Sequence, residues 1–486
     1  LIRDFAGIKP LYYAQKKESI FFASQYDQIL KFSNFKNNQI NPDVFKLYLS
    51  LQYMPDPFGF YKNTHQLSPG EIVTFNGNGE KKKEKYWELP KKQTHIISNK
   101  SHAIDYIQNS LENSVKDQLI SDQPLGAFLS GGIDSPLICN FANKNVNFNL
   151  KSFTIGSDSK VHDESEDSGK YAKLIGLKHY ITKMKGQDVS DILEDTMKCI
   201  TEPFADFSVI PTYLVSSIAK KYVSVVLSGD GGDELFFGYE RFWSIAKNLN
   251  IQHLPYFLKY SIYGLDRILS DNKYHNSASL FEKESEAHQN LHTRFDLKML
   301  NKIFPDLRSI DLPKKYGIYD YPKVRNEEDL LQLMRHSEFY GMMQKTLKKV
   351  DMASMRNSLE VRVPFLQKTF IQASLEIDPY LSYGPNKGKI SNKKNILKNI
   401  LRKQLPSAPI SNIKKGFSIP LSRWIKEELR ETISEVMMDK SLNDYFGINI
   451  INSEKMLSNH MNGKVDNKFP IFTIYSMFKW KDQSFK

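Results

Sequence analysis

Hydrophobic positions recur with two different periods along the chain. In the first ninety or so residues they come in short clusters, Leu11-Tyr12-Tyr13, Ile20-Phe21-Phe22 and Glu71-Ile72-Val73-Thr74-Phe75, the last followed by Asn76-Gly77-Asn78-Gly79. Branched and aromatic clusters bounded by Gly and Asn predict strands joined by tight turns, so this region reads as β-rich. From Pro90 to Lys100 the composition turns polar, and a linker is expected over residues 91–100. Ser101 then precedes Ile104, Ile107, Leu111 and Val115, whose three- and four-residue spacing predicts a helix capped by Ser101. Three short apolar runs follow, Leu125 to Leu129, Lys151 to Ile155 and Val223 to Leu227, separated by amphipathic segments. That alternation predicts buried parallel strands with crossover helices, an α/β doubly wound, mainly parallel sheet. After about residue 240 strand signals fade, and a mostly helical continuation of the same domain is expected.

Composition narrows the picture. The 486 residues leave room for two or three domains. Hydrophobic residues at 40% and charged residues at 25% exclude wholesale disorder. The 67 Lys and Arg against 55 Asp and Glu give a net charge of +12, suited to an anionic ligand, a nucleic acid or an acidic surface. No basic stripe carries a nucleic-acid signature, and Lys81-Lys82-Lys83 reads as part of a solvated hairpin turn, so no nucleic-acid partner is expected. Two isolated cysteines, Cys139 and Cys199, make neither a disulfide framework nor a zinc site; they read as buried small hydrophobes in a cytoplasmic protein. No apolar run approaches the ~18 residues of a membrane helix, and Leu1 to Lys9 carry charges where a signal peptide would be apolar.

The sharpest chemical signal is Leu129-Ser130-Gly131-Gly132-Ile133-Asp134-Ser135-Pro136, where a strand is expected to end and a helix to begin. Two glycines that let the backbone bend, two hydroxyls and a helix N-terminus make a phosphate cradle from Ser130 to Ser135. Pro136 suits the first helical turn. A second loop, Leu227-Ser228-Gly229-Asp230-Gly231-Gly232-Asp233-Glu234, also follows a β-branched strand. Acids beside a phosphate cradle would repel the ligand unless a divalent ion lay between, which makes Asp134 and Asp233 the expected magnesium ligands. The alternatives are a capped Gly-rich turn for the first loop and an acidic surface turn for the second.

Together these motifs resemble a known family. Ser130 to Ser135 is similar to the pyrophosphate loop of N-type ATP pyrophosphatases and lacks the Gly-Lys-Ser/Thr of a Walker loop. With the second loop, Ser358-Leu359-Glu360-Val361-Arg362-Val363-Pro364-Phe365-Leu366, Lys414-Lys415-Gly416-Phe417, Thr201-Glu202-Pro203-Phe204-Ala205-Asp206 and Val161-His162-Asp163-Glu164-Ser165, the chain resembles glutamine-hydrolysing asparagine synthetases. The resemblance implies an ATP pyrophosphatase fold with a helical C-terminal part over residues 101–486. It implies ATP, Mg2+, aspartate and ammonia or glutamine as ligands, β-aspartyl-AMP as intermediate, and leaves room for a homodimer. By the same resemblance Leu129, Ile155, Ser228 and Gly229 would contact the nucleotide, with core packing the alternative for Ile155. Asp230 would handle the acyl adenylate, Glu360 would handle protons, and Lys414 would stabilise charge on the phosphates. A buried Glu–Arg pair is the alternative for Glu360, and a solvated lysine for Lys414.

Residues Arg3 to Tyr13 resemble the late part of the family's N-terminal nucleophile glutaminase domain, so residues 1–90 are expected to be its α+β remnant. As given, the chain is expected to use free ammonia at best. Two departures stand out: Ser135-Pro136 replaces Ser-Ser, and Thr201 and Phe207 replace an acid and a serine around Glu-Pro-Phe-Ala-Asp, which touches substrate contacts more than ATP contacts. Alternative readings are an amidotransferase for another carboxylate, such as a sugar acid or a cyclising substrate, and an inactive nucleotide-binding fragment. A basic nucleic-acid module is supported by charge alone.

Overall fold

Every strand expected from an apolar run forms, and several form that no run announced. The computed structural model describes residues 1–484 apart from 18, 33–37, 78, 92–95, 160, 162, 248, 250–253, 256, 259–260, 262–281, 387–388 and 411–418. In the first ninety residues β1 (Tyr12–Lys16), β2 (Ser19–Ala23) and β3 (Thr64–Gln66) make an antiparallel sheet in the order β2-β1-β3. A separate hairpin joins β4 (Glu71–Phe75) to β5 (Lys81–Lys85). Lys81, Lys82 and Lys83 therefore lie in a strand and not in the turn. The turn is the Asn76 to Glu80 segment, where the Glu80 N–H donates to Asn76 Oδ1 at 2.8 Å. Every residue of β5 is exposed, so pairing with β4 satisfies its backbone while its cations stay in water.

The central sheet is parallel, in the order β10-β9-β6-β7-β8. β6 (Leu125–Phe128), β7 (Lys151–Ser157) and β9 (Val225–Leu227) come from the three apolar runs. Alternation along β9 is clean: Val225 and Leu227 enter one core with Leu125 and Ala127, and Val226 enters another with Phe153, Val215 and Val350. The sheet thus buries both faces, as a doubly wound sheet must.

β8 (Lys178–Met184) was not visible as an apolar run because it is an edge strand with Lys178, His179 and Lys183 among its residues. β10 (Glu360–Arg362), at the other edge, is a strand within the mostly helical continuation expected after residue 240. Three residues are too short for a period-2 signature, and the strand is specified by its partner β9, far back in the chain.

Helix α1 (Pro42–Leu51) lies in the first ninety residues, and α2 (Lys100–Gln118) buries Ile107, Leu111 and Val115 as the spacing predicts, with Ile104 half-buried and Ala103 buried beside it. Its cap is Asn99 and not Ser101: Asn99 Oδ1 accepts from the His102 N–H at 3.0 Å, and Ser101 is already inside the first turn. The first ninety residues share a core with the rest. Tyr48 of α1 donates to the Thr473 carbonyl at 3.0 Å on the long C-terminal helix Lys468–Ser484, and Phe60 meets Trp480 edge-on at 5.3 Å. Among the described residues no helix is long and apolar enough to cross a membrane. Cys139 and Cys199 are free and buried, 0% and 2% exposed, and burial raises both thiols, Cys199 to about 12.

Candidate active site

The two Gly-rich loops leave neighbouring strands at their carboxyl ends and meet there. β6 runs into Ser130–Ile133, and helix α3 (Asp134–Lys144) starts at once, with Pro136 in its first turn. β9 runs into Ser228–Gly231 and a short helical turn from Gly232 to Leu235. A ligand site at the carboxyl ends of adjacent parallel strands is where open α/β sheets bind. The cleft has a volume of about 370 Å³.

Inside the first loop the hydroxyls organise the backbone. Ser135 Oγ accepts from the Ser130 N–H at 2.8 Å and lies 2.8 Å from Ser130 Oγ, which in turn accepts from the Gly132 N–H at 3.2 Å. The glycines serve close approach more than bending: neither Gly131 nor Gly132 has a positive φ. A Cβ on Gly229 would lie 2.7 Å from the Ser135 nitrogen, and one on Gly232 would lie 2.6 Å from the Asp134 carboxyl carbon. The two loops therefore touch backbone to backbone, which only glycine permits here. In the second loop Gly231, at φ +100, supplies the left-handed turn.

Of the residues singled out in the sequence, Leu129, Ser130, Gly131, Gly132, Asp134 and Ser135 line the cleft, with Ser228, Gly229, Asp230 and Asp233 opposite. Ser228 is buried and donates its hydroxyl to Asp230. Two candidates are not brought in. Ile155 packs between two hydrophobic cores in β7 and is not among the lining residues. Glu360 starts β10 opposite Val225, the first residue of β9, at the end of the strand away from the loops. Its carboxylate is half exposed and pairs with Arg362 at 2.7 Å, so the Glu–Arg pair forms, but at the surface. Lys414 lies outside the described residues, as does His162.

Sequence reasoning missed the cation at the centre. Lys394, whose side chain is 8% exposed, caps helix α4 (Asn395–Gln404) in a left-handed conformation, and its Nζ pairs with Asp134 and with Asp233 Oδ1 at 2.7 Å. Burial opposes the ammonium, but Asp134 and Asp233 outweigh it and hold its pKa above the ordinary lysine value. Both carboxylates thus converge on one cation position. Lys349, Lys393 and Lys398 also line the cleft. In a chain with 67 Lys and Arg, Lys393-Lys394 reads as a solvated stretch, and nothing local marks it out. Glu234, missed as a lining residue, accepts from the Tyr239 hydroxyl; burial first and Asp233 next push its carboxyl up to about 7.

Fold and cleft define an open-sheet α/β enzyme with an anion-binding loop facing a pair of carboxylates. Residues 106–482 match the model of the asparagine synthase family, and residues 1–87 match that of the glutamine amidotransferase domain; the chain belongs to the asparagine synthase family. It is an amide-forming carbon–nitrogen ligase of the amidotransferase type. It is 26% identical to asparagine synthetase [glutamine-hydrolyzing] 1 of Bacillus subtilis, over 98% of this chain and 74% of the relative. It is 36% identical to the putative asparagine synthetase [glutamine-hydrolyzing] 2 of Methanocaldococcus jannaschii, over 53% of this chain and 50% of the relative. Amidase chyE of Penicillium rubens is similar over 49% of this chain, at 25% identity.

Proposed function

We propose that the chain uses ATP to amidate the side-chain carboxylate of aspartate. A carboxylate oxygen attacks the α-phosphorus, the bond to the β-phosphate oxygen breaks, and pyrophosphate leaves. Ammonia then attacks the acyl carbon of β-aspartyl-AMP, AMP leaves, and the ammonia nitrogen gives up a proton. The observation that carries this reading is the meeting of the Ser130–Ser135 cradle with Asp134, Asp233 and Lys394 at one point of the cleft.

The residues have separate tasks. Backbone N–H groups and hydroxyls of Ser130 to Ser135 orient the phosphates, and Lys349, Lys393 and Lys398 add positive charge as pyrophosphate departs. Leu129, Ser228 and Gly229 are in position to contact the nucleotide. Asp134 and Asp233 fit a magnesium ion, because carboxylates able to share one ammonium are close enough to share one cation; Mg2+ would neutralise phosphate charge when bound. Lys394 would then be free to turn toward the phosphates. Asp230, oriented by Ser228, is the acid in the cleft assigned to the acyl adenylate and to the proton from ammonia. Lys414 is taken to add a further cation; Glu360 enters this scheme only if its pairing with Arg362 opens.

Purified chain given magnesium-ATP, aspartate and ammonium should yield AMP, pyrophosphate and asparagine in equal amounts. ADP in place of AMP would rule out adenylation. AMP without asparagine would favour a different acceptor carboxylate, the second reading, for which the similarity to a protein named an amidase and the substitution Phe207 speak.

A further inference from the structure

Asp134 and Asp233 already hold one cation, and it belongs to the chain. Lys394 Nζ pairs with Asp134 and stands 2.7 Å from Asp233 Oδ1. Magnesium takes carboxylate oxygens at about 2.0–2.1 Å in a near-ideal octahedron. An ammonium in contact with both carboxylates fills the space between them, and a divalent ion brought to the same oxygens would meet like charge at close range, poorly screened by water. The two cations are alternatives at this position.

The surroundings are shaped for the lysine. Its side chain is buried, and a Cβ on Gly238 would run into both Lys394 Cε and Asp233 Oδ1, so glycine keeps the slot open. Lys394 itself takes the left-handed conformation, at φ +53, which a non-glycine residue rarely adopts, and helix α4 begins directly after it. Lys393, one residue earlier, has its ammonium 3.7 Å from Glu240 instead. What could draw Lys394 away lies on the same wall. Ser130 to Ser135 line the cleft beside Asp134, so a phosphate bound there offers the ammonium a second anionic partner. The flexible four-carbon stem of lysine lets the charge change partners while the backbone stays. Magnesium in turn is normally held by one or two carboxylates together with substrate phosphates.

We propose that Lys394 and a divalent cation exclude each other at Asp134 and Asp233, so that the pair takes metal only as the metal–nucleotide complex, whose phosphates draw Lys394 off the carboxylates. This rests on the proposed adenylation and deepens it: the form of the substrate is metal–ATP, and free metal does not bind first. Lys394 is thus a positioning residue that sets which form of the nucleotide the cleft accepts.

The test uses Mn2+ alone as the probe, titrated into the full chain without nucleotide, with the free ion read from its electron paramagnetic resonance signal. Lys394→Met should bind Mn2+ at least tenfold more tightly than wild type. Adding Asp134→Asn to Lys394→Met should remove that gain, which assigns the gained ion to this pair of carboxylates. Lys394→Gln serves the same comparison if the Met variant does not fold. Equal Mn2+ affinity in wild type and the Lys394 variants, or a gain that survives Asp134→Asn, would overturn the proposal. So would tight Mn2+ binding by wild type alone that Asp134→Asn abolishes, a result that needs no Lys394 variant. Pyrophosphate release from magnesium-ATP by wild type, measured in parallel, separates the two readings: release without the Mn2+ gain leaves adenylation standing and removes the exclusion, and the gain without release does the reverse.

Discussion

Two of the clusters of buried charge among the described residues differ in what they leave open. In the cleft Asp134 and Asp233 share the ammonium of Lys394 beside an open cavity of about 370 Å³. Deeper in the helical part, Glu338 is fully buried and held by Arg241, by His288 Nε2 at 2.7 Å and by His292 Nε2 at 3.1 Å, while His288 Nδ1 faces the Tyr321 hydroxyl. Burial opposes the charge of Glu338, yet Arg241 and then His292 hold its carboxyl well below the usual glutamate range. Burial keeps both histidines neutral. The second cluster is a carboxylate neutralised by a guanidinium and capped by two neutral imidazoles, so its partners are already in place. The first is arranged around a single cation position on a cavity wall. Buried charge that is closed on itself holds structure, whereas buried charge that borders an open volume is available to a ligand.

Substitutions should separate the two sharply. Asp134→Asn or Asp233→Asn should lower the rate of pyrophosphate release by about 10²–10³-fold, as loss of one preorganised electrostatic contact to a reacting phosphate does, with the melting temperature little changed. A variant that kept its rate would count against the proposed role of these two carboxylates as metal ligands. Glu338→Gln should do the reverse: a loss of about 3–5 kcal/mol in urea unfolding, because Arg241 is left as an uncompensated buried charge. Near-normal stability in that variant would mean that the network is not structural.

The pH dependence follows from the shifts, in two separate windows. Glu338 has a depressed pKa, so its stabilising contribution is complete above the unfolded glutamate value of about 4.3 and is lost as the pH falls below it. Lys345 is also depressed, to about 8, first by burial against the opposing pull of Asp206 and then by Arg294 and Lys349. The sign is the same but the window differs. Its contribution is complete above about 10.4 and is lost as the pH falls through 8, so stability should rise between pH 8 and 10. Lys345→Met should flatten that rise in urea midpoints taken across the interval. The smallest effect is expected at the thiols. A thiol reagent added to native protein at pH 8 should label neither Cys139 nor Cys199 on the timescale of an exposed cysteine, since burial raises both and leaves little thiolate. Rapid labelling of either would show that the structure around it opens locally.

Much of this protein was determined by local sequence. The runs at Leu125, Lys151 and Val223 specify three adjacent strands of the sheet because β-branched and aromatic residues bounded by turns leave few other uses. Both Gly-rich loops declare themselves because glycine is needed where two backbones touch, as at Gly229 against Ser135, and acids crowded beside a cradle call for a cation. Other features carry no local mark. β10 is three residues long and is a strand only because β9 offers it an edge; that pairing also sets Glu360 at the wrong end of the sheet to reach the loops. Lys394 is 260 residues from Asp134, in a lysine-rich stretch, and becomes the central cation only when the helix it caps packs beside α3. Patterns of short range encode most of the elements and the two Gly-rich loops. Which cations meet them is a matter of contacts between residues far apart in sequence, and only the packed chain decides it.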